Sequence, residues 1–199
     1  MKIVLATFNQ DKLREMRELL QLPGLVLTAL CDVPGATAPV EGGESLAENA
    51  RLKARAALDL SGMPAIADDT GLEVDALGGR PGIHAARYAG PGATYADNLA
   101  KLLAELANVT VERRGARFRT VCVALFPDGG EVVAEGVLEG CITLAPRGAN
   151  GFGYDPVFEV MPLGRTLAEL SDREKNALSH RGRAARALAR QLADRAAPR

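Results

Sequence analysis

The sequence predicts an α/β protein, and three observations carry that prediction. Short apolar runs of strand length alternate with amphipathic helical patterns through residues 3–69. Two longer runs, Phe118 to Phe126 and Val132 to Leu138, flank Pro127-Asp128-Gly129-Gly130 and read as an antiparallel hairpin. At 199 residues and 47% hydrophobic, the chain can bury a substantial core as one domain or one domain with two lobes. An α/β part and an antiparallel part make a cleft between them the expected place for a ligand.

Ile3-Val4-Leu5-Ala6 opens the chain as a buried strand. Thr7-Phe8-Asn9 follows, and Leu13, Met16, Leu19 and Leu20 then mark one face of a helix capped by Asn9 and ended by Pro23-Gly24. Free N–H groups at such a helix start favour an anion, and Thr7, Asn9 and Lys12 lie there. Leu25 to Leu30 reads as a second strand, and Cys31 to Gly43 as a loop holding Glu41. Ser45 with Glu48 makes a capping box for a helix with Ala47, Ala50, Ala54, Ala57 and Leu58 inward. Gly62 and Pro64 stop it.

Ala65-Ile66-Ala67 then runs into Asp68-Asp69-Thr70-Gly71. The pattern reads as a buried strand stopped by an acidic turn, with Leu72-Glu73-Val74 a further short strand. Two adjacent carboxylates at a strand end repel each other unless a cation lies beside them, and hard oxygen ligands favour Mg²⁺ or Mn²⁺. One carboxylate can ligate while the other orients a water; the residues do not say which does which. His84 reads as structural. Thr94 caps a helix carrying Leu99, Leu102, Leu103 and Leu106, and Cys141 to Leu144 reads as a third strand beside the hairpin. Gly151-Phe152-Gly153-Tyr154-Asp155 places aromatics and an acid in a glycine turn where backbone can approach a ligand and Phe152 can stack on a base. Thr166 with Glu169, and Ser171 with Glu174, are two more capping boxes, and Lys175 falls in the first turn of the second helix, where a cation needs a compensating anion. His180-Arg181-Gly182 breaks the pattern before a last helix with Ala185, Leu188 and Leu192.

A formal net charge of −1 argues against nucleic-acid binding, and the Arg-rich C-terminal helix reads as a solvated face. Three cysteines, Cys31, Cys122 and Cys141, cannot all pair with one another; Cys122 and Cys141 lie in apolar runs and are expected to be buried thiols, and a cytoplasmic location is expected. No apolar run approaches a membrane span.

Six segments carry a resemblance: Ala6-Thr7-Phe8-Asn9 with Lys12, Glu48-Asn49-Ala50 with Lys53, Ile66 to Leu72, Pro81-Gly82-Ile83 with Ala86-Arg87-Tyr88, Gly151 to Pro156, and Ser179 to Gly182. In this order and spacing the chain resembles the inosine triphosphate pyrophosphatase family from Lys2 to about Leu192. The resemblance implies a long mixed β-sheet flanked by helices, two lobes with a central cleft, and a homodimer. It implies Mg²⁺-dependent cleavage of ITP, dITP and XTP to a monophosphate and pyrophosphate. By position it gives the triphosphate to Thr7, Asn9, Lys12 and Lys53, Mg²⁺ to Glu41 and Asp69, and proton acceptance to Asp69, with Asp68 beside it. Thr70 is a substrate contact, and Phe152, Gly153, Tyr154, Asp155, Lys175, His180 and Arg181 surround the nucleoside. Phe8 stands where the family often has a smaller residue, and His84 where an aromatic or aliphatic one is expected.

Overall fold

An apolar strand buried on both faces needs neighbours on both edges, and β1 (Lys2–Leu5) has them. It pairs in parallel with β2 (Val26–Ala29) on one side and β3 (Ala65–Val74) on the other. Parallel neighbours require crossovers, supplied by α1 (Gln10–Leu19) and α2 (Leu46–Ser61). This computed structural model describes residues 1–37 and 42–196. Further elements are β4 (Pro81–Gly82), α3 (Tyr95–Glu105), β5 (Gly115–Leu125), β6 (Glu131–Ile142), β7 (Phe158–Val160), β8 (Arg165–Thr166), α4 (Asp172–Leu178) and α5 (His180–Ala196). They complete an eight-stranded sheet of order β2-β1-β3-β5-β6-β7-β8, with β4 paired to β3. Parallel pairs at β1 and antiparallel pairs at β3–β4, β6–β7 and β7–β8 make it mixed, as expected.

The chain divides into two compact units. The first holds Met1–Asp69, Thr120–Gly136 and Arg181–Arg199; the second holds Thr70–Arg119 and Val137–His180. Each has its own core. In the first, Ile3, Leu5 and Ile66 pack with Leu13 and Met16 of α1 and Ala184, Ala185 and Leu188 of α5. In the second, Leu72, Val74, Phe118 and Phe158 pack with Leu102 and Leu106. A buried side chain of this size contributes about 1.5–3 kcal/mol.

Three expectations change, one of them at the last helix: His180, Arg181 and Gly182 form the start of α5 rather than a break before it. The acidic pair does not end a strand: β3 runs unbroken through Asp68, Asp69, Thr70 and Gly71 to Val74. Thr70 and the apolar alternation beyond it sustain the strand, and Gly71 is buried within it. Cys141 belongs to the end of β6 rather than to a separate strand. The Glu48 side chain accepts from the Glu44 N–H at 2.7 Å, so the box at α2 reaches one residue beyond its Ser45 cap. Both later boxes close as read. Arg183, Arg186 and Arg190 lie on the exposed side of α5, the solvated face expected there.

Gly140 of β6 sits against β7, where an added Cβ would run into the Glu159 carbonyl oxygen and lie 2.7 Å from the Phe158 ring. Backbone cannot give way as a flexible side chain can. Gly140→Ala is therefore expected to lower stability by about 1–3 kcal/mol, measured by urea unfolding; an unchanged midpoint would contradict the close approach.

Candidate active site

Successive residues of a strand point to opposite faces. Asp68 accordingly shares the face of Ile66, towards α1 and α5, while Asp69 turns to α2. The two carboxylates are neighbours in sequence with separate surroundings, which corrects the picture of a pair sharing one turn.

Asp68 lies at the centre of a buried network. Its Oδ2 is 3.0 Å from Lys12 Nζ and accepts from Arg181 Nε and Nη2, each at 3.3 Å. The other arm of Arg181 donates from Nη1 to Glu15 Oε2 at 2.5 Å. Burial alone would raise the Asp68 carboxyl, but the charges of Lys12, Arg181 and Lys53 outweigh it and hold Asp68 well below the usual carboxylate range. Burial also lowers Lys12; Asp68 opposes that shift, and the like charges of Lys53 and Arg181 add to it. Arg181 is raised: burial works against its charge, but Asp68 and Glu15 prevail.

Asp69 has a simpler environment. Lys53 Nζ donates to Oδ1 at 2.6 Å, and both side chains are buried. Its Oδ2 is buried with no hydrogen-bond partner among the described residues. An orphaned buried carboxylate oxygen is costly, and a hard cation or a water hydrogen would satisfy it. Asp69 thus offers one hard oxygen of the kind a divalent metal takes, while among the described residues no three His, Cys, Asp or Glu side chains gather to hold a metal ion. Glu41, the other expected metal ligand, lies outside the described residues. Asn49 of α2 accepts from Gly43 N–H at 2.9 Å, fixing the chain that leads into this helix.

Asn9 caps α1 as read, its Oδ1 accepting from Asp11 and Lys12 N–H, while Thr7 Oγ1 accepts from Asn9 N–H at 3.1 Å. Phe8 is 37% exposed, so the residue that departs from the family pattern faces solvent rather than filling the turn. Thr70 is half-buried in β3.

The second unit gathers the remaining residues. Lys175 and Asp155 form a buried pair at 2.6 Å; α4 is so short that Lys175 falls in its last turn rather than its first, and burial, not the helix dipole, is what requires the anion. Asp155 Oδ2 also accepts from Phe152 N–H at 2.8 Å and so closes the turn. Gly151, at φ +74°, runs so close to that carboxylate that no Cβ fits. Lys175 Nζ stands 4.8 Å from the centre of the Phe152 ring. Gly153, φ +64°, is half-buried. Tyr154 turns into the core and donates its hydroxyl to the Ala85 carbonyl at 2.8 Å, a packing role. His180 is buried with its ring stacked 4.5 Å from that of Phe118. His84 is exposed.

Glu15 is the site residue that sequence reasoning missed. It stands among Asp11, Arg14, Arg17 and Glu18, which read together as the solvent face of a helix. Its partner is 166 residues away.

Because Asp68 is depressed in the folded state, its contribution to stability is present above the unfolded value of 3.8 and is lost as pH falls below it. Removing Lys12 takes away part of that depression. Lys12→Met is expected to move acid unfolding, followed by circular dichroism, to higher pH than in the wild type; an equal or lower midpoint would contradict the coupling.

The chain matches the Ham1 family model over residues 3–191. It is 51% identical over 197 residues to a dITP/XTP pyrophosphatase of Methylococcus capsulatus, covering 96% of each chain. A Geobacillus kaustophilus protein of the same name is 49% identical, with 92% of this chain and 90% of the relative covered. The solved structure of the Staphylococcus aureus Ham1 protein superposes with a TM-score of 0.87 at 38% identity, covering 98% of this chain and 100% of that one. These relatives bear out the resemblance read from the motifs: the chain belongs to the Ham1 family.

Proposed function

We propose that this protein hydrolyses non-canonical purine nucleoside triphosphates (ITP, dITP and XTP) to the monophosphate and pyrophosphate, removing them from the nucleotide pool. The observation that carries the reading is Asp69, a buried carboxylate with one oxygen held by Lys53 and the other unpartnered among the described residues. Relatives about half identical to this chain, named dITP/XTP pyrophosphatases, support the substrate class.

In this reading the water oxygen bonds to the α-phosphorus, the bond from that phosphorus to the bridging oxygen breaks, and pyrophosphate leaves. Asp69 accepts the water proton at Oδ2, while Lys53 keeps the carboxylate in one orientation. Asp68 is unsuited to that task, because two cations hold it ionised; it positions Lys12 and Arg181 instead. Thr7 and Asn9 meet the phosphates together with Lys12 and Lys53; the Asn9 side chain already takes the N–H groups of Asp11 and Lys12, so the cations supply most of the attraction. Thr70 completes the substrate contacts on β3.

Charge balance supports a metal. Lys12, Lys53 and Arg181 are already matched by Asp68, Asp69 and Glu15, so a triphosphate enters a cluster with no spare cation. Mg²⁺, held by Asp69 and Glu41, would neutralise phosphate charge and acidify a bound water. In the second unit, Phe152 supplies a stacking surface, and Asp155, Lys175 and His180 supply polar partners for the nucleoside with Gly153 leaving room. Lys175 Nζ is a donor for a 6-oxo group and a mismatch for the amino group of adenine. The homodimer implied by the resemblance is part of the same reading.

Pyrophosphate release from ITP, XTP, GTP, ATP and CTP, with Mg²⁺ and with EDTA, tests the proposal. Metal-dependent release from ITP and XTP at least 100-fold faster than from ATP is expected, the size of a donor–acceptor mismatch. Release from CTP in preference to ITP would overturn the base assignment, and no release from any would overturn the chemistry.

A further inference from the structure

The second unit contains an apolar pocket of about 270 Å³, lined by Phe152 and Gly153, placed above beside the nucleoside, and by Tyr95, Ala96, Leu99 and Pro156, to which no role has been given. Its volume falls below the range for a drug-sized ligand, which suits a fragment such as a single nucleobase. The lining carries no ionisable side chain apart from the Tyr95 phenol, so it offers nothing to a phosphate. Its walls include two aromatic rings. Phe152 and Tyr95 lie 5.7 Å apart at 37°, and Lys175 Nζ stands 4.8 Å from the Phe152 ring centre. Phe152 is held from behind by its N–H bond to the buried Asp155. Tyr95 opens α3 and is 43% exposed. The two other tyrosines, Tyr88 and Tyr154, are buried and donate their hydroxyls to Glu105 and to the Ala85 carbonyl.

An exposed aromatic at the mouth of an apolar pocket, paired with a second ring that is rigidly backed, is arranged to hold a planar heterocycle. We propose that Tyr95 is a base-contacting residue, forming with Phe152 the aromatic wall against which the purine ring packs. The proposal rests on the nucleotide reading above and adds to it a residue on α3 that no motif marks. Gly153 serves the same pocket: a Cβ there would meet no atom within 4 Å, so the space beside the Phe152 ring is left open.

The test is equilibrium binding by calorimetry of inosine 5′-monophosphate and of inorganic triphosphate to the full chain. Tyr95→Ala is expected to weaken the nucleotide roughly tenfold, the size of one stacking contact, and to leave inorganic triphosphate unchanged. Tyr95→Phe, which keeps the ring, is expected to recover most of the lost affinity. Unchanged nucleotide affinity in Tyr95→Ala, equal weakening of both ligands, or no nucleotide binding by the wild type would each overturn the assignment. Failure of the functional reading shows separately, as absence of pyrophosphate release by the wild type.

Discussion

The alternation of side chains along β3 is the constraint on which the first unit depends. It sends two consecutive aspartates to opposite faces, and each must be neutralised where it lands. Asp68 lands between α1 and α5 and collects Lys12 and Arg181; Asp69 lands against α2 and collects Lys53. A buried carboxylate stripped of its partners costs several kcal/mol. The three helices are thereby tied to one strand by charge as well as by apolar contact. The same division separates the chemistry. A carboxylate clamped by two cations positions them, whereas one with an unpartnered oxygen can take a proton or a metal.

Arg181 shows how this network is completed from a distance. It is the second residue of α5, and it reaches Asp68 on β3 and Glu15 on α1 with opposite edges of one planar group. A guanidinium suits that task because its donors form a rigid fork, where a lysine would offer a point charge. The resemblance places Arg181 beside the nucleoside. The structure adds that two carboxylates already fix its orientation, so any contact to a ligand is made by a group that is preorganised.

Much of this was legible in the sequence. Among the elements of 10 or more residues, α1, α2, α3 and the β5–β6 pair have enough turns or alternations for their period to stand out, whereas β3 and α5 are interrupted by residues that read locally as breaks. The strands of two or three residues, β4, β7 and β8, have no period to read and exist because longer strands offer them an edge. Asp-Asp followed by Thr-Gly reads as a stop signal by local propensity, yet β3 continues because its later residues Leu72 and Val74 join a second core. Glu15 was invisible for the opposite reason: its local context is that of a solvated helix face, and only a partner at the far end of the chain makes it buried. Asp69, Asp155 and Lys175 stand out from their local patterns and Lys53 through the resemblance, while their pairing emerges only in three dimensions.

The division of labour between the two aspartates is most directly tested by comparing Asp69→Asn with Asp68→Asn for urea unfolding and for pyrophosphate release from ITP. Asp69→Asn, which takes the paired anion from the buried Lys53, is predicted to lose turnover and to lose less stability than Asp68→Asn, because one cation rather than two is stripped of its partner. Asp68→Asn is predicted to lose about 3–5 kcal/mol of stability, the cost of breaking a buried ion pair, since Lys12 and Arg181 are left without their shared partner. Full turnover in Asp69→Asn, or unchanged stability in Asp68→Asn, would contradict the account.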